Sequence, residues 1–261
     1  MRDRNLVIIP TYQEKENISD LLEAIFNLEI PFDILVVDDN SPDGTALIVQ
    51  EKQSTHKKNL HLIQRTRKMG LGSAYLAGFS YALKNGYDYI YEMDADFSHD
   101  PKDLMKLHHS CKIEGNDMAI GSRYIDGVNV VNWPIDRVLM SYGASLYVRL
   151  LTGMPIYDTT AGFKCYHHSV LRTINLKNIK FTGYAFQIEM KFNAWKYGFK
   201  IKEVSIIFTD RKKGESKMST GIFTEAIFGV LQLKIMSLFN KYEPGYSIEA
   251  DRINSLDSVY H

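Results

Sequence analysis

The sequence predicts an α/β fold, in a single domain with a mostly parallel central sheet. Three observations support this prediction. Short apolar runs alternate with segments of helical spacing in the first half of the chain, polar or glycine-containing turns follow most of these runs, and no repeat or break in composition divides the 261 residues. Such alternation is typical of βαβ units. We expect one domain over residues 1–242, including an apolar helix at 221–239, and a polar tail at 243–261.

Four strands are predicted in the first half, at residues 6–9, 34–37, 60–63 and 87–93. Each is a short, largely apolar or aromatic run next to turn residues, as expected of buried strands. Helices are predicted between the strands at 17–28, from about 45, and at 70–84. The first helix has the clearest pattern, because Ile18, Leu21, Leu22 and Ile25 recur at the spacing of one helical face.

The second half is less regular. Helices are predicted at 101–111, 135–151, 186–197 and 221–239, and strands at 117–121, 161–166 and 202–208. Pro101 at the start of the first of these helices is favourable, since proline is well tolerated in the first helical turn.

Composition excludes some classes of function and location. Lys and Arg together number 31, as do Asp and Glu, which argues against a broad nucleic-acid-binding surface. Cys111 and Cys165 provide no disulfide framework, which is consistent with a reducing compartment. The apolar run near the N-terminus is too short for a signal peptide, and no run of about 20 apolar residues predicts a spanning helix. We therefore expect a cytoplasmic protein that binds no nucleic acid.

Two aspartates directly follow the fourth predicted strand. Asp94 and Asp96 lie two residues apart, with Ala95 between them, so in an extended chain their side chains point to the same face. Carboxylate oxygens suit a hard cation such as Mg²⁺ or Mn²⁺, and ligands of open α/β sheets lie outside the carboxyl ends of the strands. Taken alone, the pair fits a polar turn equally well, because aspartate is common in turns.

The neighbouring strand ends favour a binding site. Residues 10–14 follow the first strand, Asp39 follows the second, and residues 121–124 follow the fifth. In a parallel sheet these turns lie along one edge. Tyr12 can stack there on a base, Asp39 can accept hydrogen bonds from base N–H groups, and the aspartate pair can hold a cation on a diphosphate. Together these groups predict a site for a nucleoside diphosphate.

Five segments together resemble one family. They are VIIPTYQEKEN at 7–17, VVDDNSPDGT at 36–45, MDADFSH at 93–99, GSRY at 121–124 and DRKKGESK at 210–217. This succession resembles the dolichyl-phosphate mannosyltransferases and their bacterial polyprenyl-phosphate relatives, which belong to the GT-A glycosyltransferases of family 2. The first three segments mark the family broadly, and the last two favour the polyprenyl-phosphate branch. The resemblance extends from about residue 5 to 240.

The resemblance implies a GT-A fold and a reaction, the inverting transfer of a hexose, with mannose from GDP-mannose expected, to a polyprenyl phosphate. It also implies residue roles. The nucleotide-sugar site would comprise Pro10, Tyr12, Glu14, Val37, Asp39, Asp94, Ala95, Asp96, Arg211 and Lys217; the acceptor phosphate site would comprise Arg123, Arg137 and Ser141. Asp94, Asp96, Arg123 and Arg211 would be catalytic, and Asp94, Asp96 and Ser98 would hold Mg²⁺ or Mn²⁺.

Two positions depart from the family pattern. Some relatives carry glutamine where this chain has Ser98. Many relatives have Lys-Gly-Tyr where this chain has Thr182-Gly183-Tyr184, so one expected phosphate-contacting cation is missing.

The chemistry of a phosphate acceptor fits the basic residues of the second half. A phosphate monoester is largely ionised near pH 7, since its second pKa is about 6, so it needs little or no general base. It does need cations that offset repulsion between two anionic substrates, and arginine grips phosphate oxygens in pairs. The basic segment 211–217 suits this role, although a solvated surface loop is the usual interpretation of such a run.

The apolar segment 222–239 has two interpretations. It is either a core helix packed on the sheet or an interfacial helix that rests on a bilayer. A polyprenyl acceptor requires contact with a membrane, so we expect a peripheral location at its cytoplasmic face, with room for a membrane-anchoring partner subunit.

Three other functions compete with this one. One is a family 2 transferase that uses a UDP-sugar or a saccharide acceptor. A saccharide hydroxyl would need a carboxylate base and would not explain the second-half cations. A non-catalytic nucleotide-sugar-binding subunit would not need the intact Asp94 and Asp96. A nucleotidyltransferase would carry a glycine- and arginine-rich loop near its N-terminus, and the sequence has none.

Overall fold

The computed structural model describes residues 3–183, 185–211 and 221–243. Nine strands occur in this part of the chain: β1 (Asn5–Thr11), β2 (Asp33–Asp38), β3 (Leu60–Gln64), β4 (Tyr89–Glu92), β5 (Met118–Ser122), β6 (Val130–Val131), β7 (Lys164–His167), β8 (Ile201–Ser205) and β9 (Phe208–Thr209). Seven of them form the central sheet in the order β3-β2-β1-β4-β7-β5-β8, and β6 pairs with β9 in a small second sheet.

The central sheet is mostly parallel, as predicted. Only β7 runs antiparallel among the described strands, and it lies between β4 and β5. Its first residue, Lys164, is in register with Glu92 at the end of β4. The loop that leads into β7 therefore lies at the edge where the parallel strands end, which is the edge that carries ligands in such sheets.

Helices cover both faces of the sheet. They are α1 (Ile18–Phe26), α2 (Thr45–Gln53), α3 (Leu71–Lys84), α4 (Asp103–Lys112), α5 (Ile135–Thr152), α6 (His168–Thr173), α7 (Ala185–Lys196) and α8 (Gly221–Ser237), with a 3-10 helix at Leu176–Asn178. Alternate residues of β1 enter different cores, because side chains of a strand point alternately to its two faces. Ile8 joins the core that contains Phe79 and Phe186, and Val7 joins the core that contains Leu107.

Glycines bring α3 close to the sheet and to the loop before α7. A Cβ on Gly78 would lie 2.6 Å from the Ile8 side chain, and one on Gly72 would lie 2.8 Å from the Phe186 ring. The Gly72 N–H also donates to the Thr182 carbonyl at 2.8 Å. The close approach thus ties residues 182–183 to the first turn of α3.

Two predicted strands differ from the structure. The strand predicted at 161–166 is shorter and begins at Lys164, because residues 158–163 form the loop that enters the ligand edge. The strand predicted at 202–208 is divided, since β8 pairs with β5 whereas β9 pairs with β6. Neither α6 nor the short β6 was predicted.

The C-terminal helix α8 packs one part of its apolar surface on the core, as the first interpretation predicts, and exposes the other part. Val230 and Leu233 are buried against the core, whereas Phe228 and Ile235 are 67% and 49% exposed. Within the described residues, no helix is both long enough and apolar enough to cross a bilayer. The predicted tail, apart from Glu243, lies outside the described residues.

Candidate active site

Two adjoining cavities lie at the carboxyl ends of the strands. We call them the Tyr12 cavity, of about 310 Å³, and the Arg123 cavity, of about 220 Å³, after one lining residue of each. Leu71 and Asp94 line both cavities. The two cavities therefore adjoin at the Asp94 side chain.

The Tyr12 cavity gathers most residues predicted for the nucleotide sugar. Its lining includes Pro10, Tyr12, Glu14, Asp39, Asp94, Ala95, Asp96 and Arg211. Val37 is absent from that lining, and its side chain is fully buried in the core because it points away from the ligand edge into one face of the sheet. Lys217 lies outside the described residues.

Asp39 has a partner that the sequence did not suggest. Arg65 pairs with its carboxylate, and the Met69 N–H donates to Asp39 Oδ2 at 3.0 Å. Arg65 also donates to Ser73 Oγ at 2.6 Å, so the loop after β3 is held between Asp39 and α3. A base N–H that reaches Asp39 must share an oxygen that already accepts these bonds.

Lys68 is a second residue missed by the sequence analysis. Its Nζ lies 4.6 Å from the centroid of the Tyr12 ring. Both Lys68 and Thr182 line the Tyr12 cavity. The cation expected at Thr182 is missing, but the cavity does contain the Lys68 ammonium. The basic run 65–68 follows β3, so the rule that ligands lie at strand ends was a usable signal.

Asp94 and Asp96 fit a divalent cation. Burial, followed by the charges of Asp96 and Glu92, raises the pKa of Asp94 to about 7. Both the burial and the neighbouring negative charges disfavour the ionised Asp94 carboxylate, and a bound cation would offset both effects. Asp96 Oδ2 lies 3.1 Å from an Arg211 nitrogen.

Ser98 has a backbone role in the structure. Its N–H donates to Asp96 Oδ1 at 3.0 Å, and its carbonyl accepts from Thr209 at 3.1 Å. Within the part of the chain that the structure describes, no cluster of three or more His, Cys, Asp or Glu ligands occurs. Asp94 and Asp96 would therefore hold Mg²⁺ or Mn²⁺ together with donor diphosphate oxygens and water.

Arg123 is fixed at the wall of the second cavity. Its Nε and Nη2 donate to the two oxygens of Asp158 at 2.7 and 2.6 Å, and Nη2 also donates to Thr160 Oγ1 at 2.8 Å. Its Cζ lies within 5.6 Å of the ring centroids of Tyr124, Trp133 and Phe208. Burial by itself would raise the pKa of Asp158, but the charge and hydrogen bonds of Arg123 hold it below its ordinary value.

Arg137 and Ser141 line the same cavity from α5. The Arg137 guanidinium lies 4.1 Å from the Trp133 ring centroid, and its Nη1 donates to Asp210 Oδ1 at 2.9 Å. Ser141 Oγ accepts from the Tyr124 hydroxyl at 2.7 Å. The three residues predicted for an acceptor phosphate are thus brought together.

A buried polar layer supports the loop between the two cavities. Lys164 and Glu92 form an ion pair at 3.0 Å with both side chains fully buried, and the Tyr166 hydroxyl donates to Glu92 at 2.7 Å. Lys191, also fully buried, donates to the Ala161 carbonyl at 2.6 Å. None of these residues was singled out from the sequence, because the antiparallel β7 that brings Lys164 to Glu92 has no local signal.

Comparison with known proteins identifies the family. A model described as glycosyl transferase family 2 matches residues 6–175. Polyprenol monophosphomannose synthase of Mycolicibacterium smegmatis is 44% identical, over 88% of this chain and 86% of the relative. Undecaprenyl-phosphate mannosyltransferase of Micrococcus luteus is 43% identical, over 87% of this chain and 92% of the relative.

Solved structures identify the fold. Glucosyl-3-phosphoglycerate synthase of Mycobacterium tuberculosis, crystallised with Mn²⁺ and UDP, superposes with a TM-score of 0.66 at 15% identity, over 89% of this chain and 80% of that structure. S. aureus TarS gives a TM-score of 0.60 at 21% identity, over 91% and 67%. These confirm the predicted fold, and the Mn²⁺ in the first is consistent with divalent metal use. The chain therefore belongs to glycosyl transferase family 2 and is a glycosyltransferase with the GT-A fold.

Proposed function

We propose that the chain transfers mannose from GDP-mannose to a polyprenyl phosphate, with inversion at the anomeric carbon. The observation that carries this proposal is the Arg123 cavity, where Arg123, Arg137 and Ser141 adjoin the nucleotide-type site at Asp94. Among the described residues, Asp94 is the only carboxyl that lines this cavity. A cavity with two arginines and one shared carboxylate in its lining suits an anionic acceptor better than a hydroxyl that needs its own base.

The reaction fits a single displacement. The donor diphosphate would lie beside Asp94, Asp96 and Arg211. A cation held by Asp94 and Asp96, together with the Arg211 guanidinium, would offset the negative charge that develops on the diphosphate. An acceptor phosphate oxygen held by Arg123 and Arg137 would attack the anomeric carbon from the opposite side. The bond from that carbon to the diphosphate oxygen breaks with its electron pair, a bond to the acceptor oxygen forms, and the configuration inverts.

The relatives support the same substrates. One is named as a polyprenol monophosphomannose synthase and the other as an undecaprenyl-phosphate mannosyltransferase, and both align over most of this chain. The guanine base and the inversion are our proposals, as are the residue roles.

The exposed surface beside the Arg123 cavity supports a peripheral membrane location. Helix α5, which carries Arg137 and Ser141, exposes Ile135, Leu139 and Leu150 at 73%, 64% and 77%. Helix α8 packs against α5 and exposes further apolar side chains. We call these exposed faces of α5 and α8 the apolar face. It would rest on the cytoplasmic surface of the bilayer, alone or with an anchoring partner subunit, where the acceptor chain resides.

A reconstituted assay tests the proposal. Purified protein would be incubated with Mg²⁺, a short polyprenyl phosphate and, separately, GDP-mannose, UDP-glucose and UDP-N-acetylglucosamine. We expect a lipid-linked hexose by mass spectrometry with GDP-mannose only, and an anomeric configuration opposite to that of the donor by NMR. The matched acceptor control is the corresponding polyprenol, which lacks the phosphate. Transfer to the polyprenol or to a saccharide, with none to the lipid phosphate, would contradict the proposal.

A further inference from the structure

The junction of the two cavities is where the transferred sugar has to lie, because its anomeric carbon must reach both the donor and the acceptor oxygen. Asp94 lines both cavities at this junction, and Gly162 and Gln187 line the Arg123 cavity. Gln187 is on α7 and is only 2% exposed. The comparisons assign it no role.

The orientation of the Gln187 carboxamide follows from its neighbour. The Lys164 ammonium contacts Gln187 Oε1, and an ammonium group can only donate. The oxygen of the amide must therefore face Lys164, and the amide nitrogen must point away from it. Lys164 is itself held by the Glu92 carboxylate, so this arrangement is set before any substrate binds.

The amide nitrogen has no partner. Gln187 Nε2 is a buried donor without a hydrogen-bond acceptor in the described residues. Leaving a buried donor unpaired is unfavourable, so an unpaired donor beside a cleft indicates a missing acceptor.

The position of this donor relative to Asp94 indicates which acceptor. A Cβ on Gly162 would lie 3.6 Å from Gln187 Nε2 and 3.8 Å from Asp94 Oδ2. An amide donor and a carboxylate acceptor therefore flank one small gap, which exists because residue 162 has no side chain. The gap lies at the junction.

The pairing of these two groups selects a hydroxyl. A hydroxyl can donate to Asp94 and accept from Gln187 at the same time, whereas an ionised phosphate has only acceptors and would be repelled by the carboxylate. Resting on the proposed function, we propose that Gln187 Nε2 donates to a hydroxyl of the transferred hexose and so helps to determine which sugar is accepted. A site built to bind a hydroxyl discriminates against sugars that lack it.

Deoxy donors test this role in the full chain. Transfer to a short polyprenyl phosphate would be measured with GDP-mannose and its 2-, 3-, 4- and 6-deoxy analogues, for the wild type and Gln187→Met. For the wild type, we expect kcat/KM with one analogue to be about 10- to 100-fold lower than with GDP-mannose. For Gln187→Met, kcat/KM with the same analogue should be within about twofold of its value with GDP-mannose. An unchanged loss for every analogue in Gln187→Met would overturn the inference and leave the proposed function intact.

A binding measurement separates the inference from the proposed function. The affinity ratio between GDP-mannose and GDP would be measured by calorimetry without acceptor. We expect the ratio to fall about tenfold in Gln187→Met while the affinity for GDP stays unchanged. A wild type that transfers nothing to a lipid phosphate, together with an affinity ratio that still falls in Gln187→Met, would contradict the proposed function but support the contact between Gln187 and the sugar. An unchanged ratio means that the gap holds water or nothing, which overturns the inference.

Two further variants guard against an effect on folding. Gln187→Glu keeps the volume and the acceptor for Lys164 but removes the donor, so it should lose the same discrimination as Gln187→Met. Gln64→Met changes an exposed glutamine at the end of β3 and should leave the whole analogue series unchanged. If Gln187→Glu retains the wild-type pattern, the donor role is wrong even where Gln187→Met is unstable.

Discussion

Asp94 and Asp96 lie two residues apart, yet their surroundings differ. Asp96 accepts the Ser98 N–H and contacts Arg211, so part of its charge is offset within the protein. Asp94 has mainly burial and like charges around it, and its pKa is raised to about 7. A divalent cation would therefore bind most favourably when the Asp94 carboxylate is ionised. The Asp96 carboxylate is already oriented for binding by its contacts with Ser98 and Arg211.

Replacing Asp96 by asparagine should abolish nearly all transfer while the fold is retained. The change preserves shape but removes one of the two charges of a hard-cation site, and the contact with Arg211 loses its ionic character. Initial rates at saturating Mg²⁺ or Mn²⁺ would measure the loss, with circular dichroism as the control for folding. Near-normal turnover of Asp96→Asn would contradict the metal assignment.

The metal-induced rise in melting temperature should be larger at pH 8 than at pH 6. The folded-state pKa of Asp94, about 7, lies above its unfolded value, so the folded protein binds the extra proton between about pH 4 and 7. The stability contribution of Asp94 in the metal-free protein therefore falls as the pH rises through this range. Because a metal competes with that proton, Mg²⁺ affinity should rise about tenfold from pH 6 to 8.

Thermal unfolding with and without Mg²⁺ would show this rise as an additional shift of about 2–4 °C at pH 8. Asp94→Asn provides the control and should remove the pH dependence of the shift. An equal shift at both pH values in the wild type would show that Asp94 is ionised at pH 6.

Asp158 should matter for stability as much as for activity. It is fully buried and holds Arg123 through three hydrogen bonds, so Asp158→Asn leaves the guanidinium without its counter-charge. Breaking such a pair costs about 3–5 kcal/mol, which denaturant unfolding would measure. The double variant Asp158→Asn/Arg123→Met should recover part of the loss but no transfer. A change below about 1 kcal/mol in Asp158→Asn would mean that water replaces the carboxylate.

At the scale of secondary structure, the end of β9 connects the two cavities. Asp210 accepts from Arg137, which lines the Arg123 cavity, and the next residue, Arg211, lines the Tyr12 cavity and contacts Asp96. The Thr209 N–H donates to the Ser98 carbonyl, so β9 is also tied to the loop that carries the aspartate pair. The end of this short strand thus positions side chains of both cavities, although the sequence predicted β8 and β9 as one strand.

Arg211→Ala should reduce kcat/KM for the donor about 10- to 100-fold with little change in stability. The Arg211 side chain is 23% exposed and follows a strand end, where substitutions seldom destabilise, while a lost charge-assisted contact with the diphosphate costs about 1.5–3 kcal/mol. Steady-state kinetics with varied donor would measure the effect. Arg172→Ala, at an exposed position of α6, is the matched control. If Arg211→Ala and Arg172→Ala behave alike, Arg211 is a surface cation.

At the scale of the whole molecule, strand ends could be predicted but strand order could not. The apolar runs that end at Pro10, Asp38 and Asp94 predicted three of the strand ends that border the site. They could do so because hydrophobic periodicity and turn residues are local properties of the sequence. The partners of the charged groups are far apart in sequence: Arg65 for Asp39, Asp158 for Arg123 and Lys164 for Glu92. The last pair depends on the reversal of β7, which no local pattern specifies.

Helix α5 contributes residues to both the apolar face and the Arg123 cavity. Helix α5 contributes Arg137 and Ser141 to the cavity and exposes Leu139 and Leu150. A lipid phosphate in the cavity would then have its hydrocarbon chain beside an apolar surface. Under the proposed function, we therefore expect acceptor binding and membrane contact to be coupled.

Liposome flotation should show partial, reversible membrane binding through the apolar face. Leu150→Glu and Ile235→Glu place a charge on the exposed sides of α5 and α8, and each should reduce the floating fraction several-fold, because one interfacial surface gives only marginal affinity. Ile113→Glu alters a similarly exposed apolar residue after α4 and should float like the wild type. With a short-chain acceptor in detergent, all three variants should retain transfer, which separates membrane contact from catalysis. If the wild type never floats, even with anionic lipid and polyprenyl phosphate in the vesicles, contact with the membrane depends on a partner subunit.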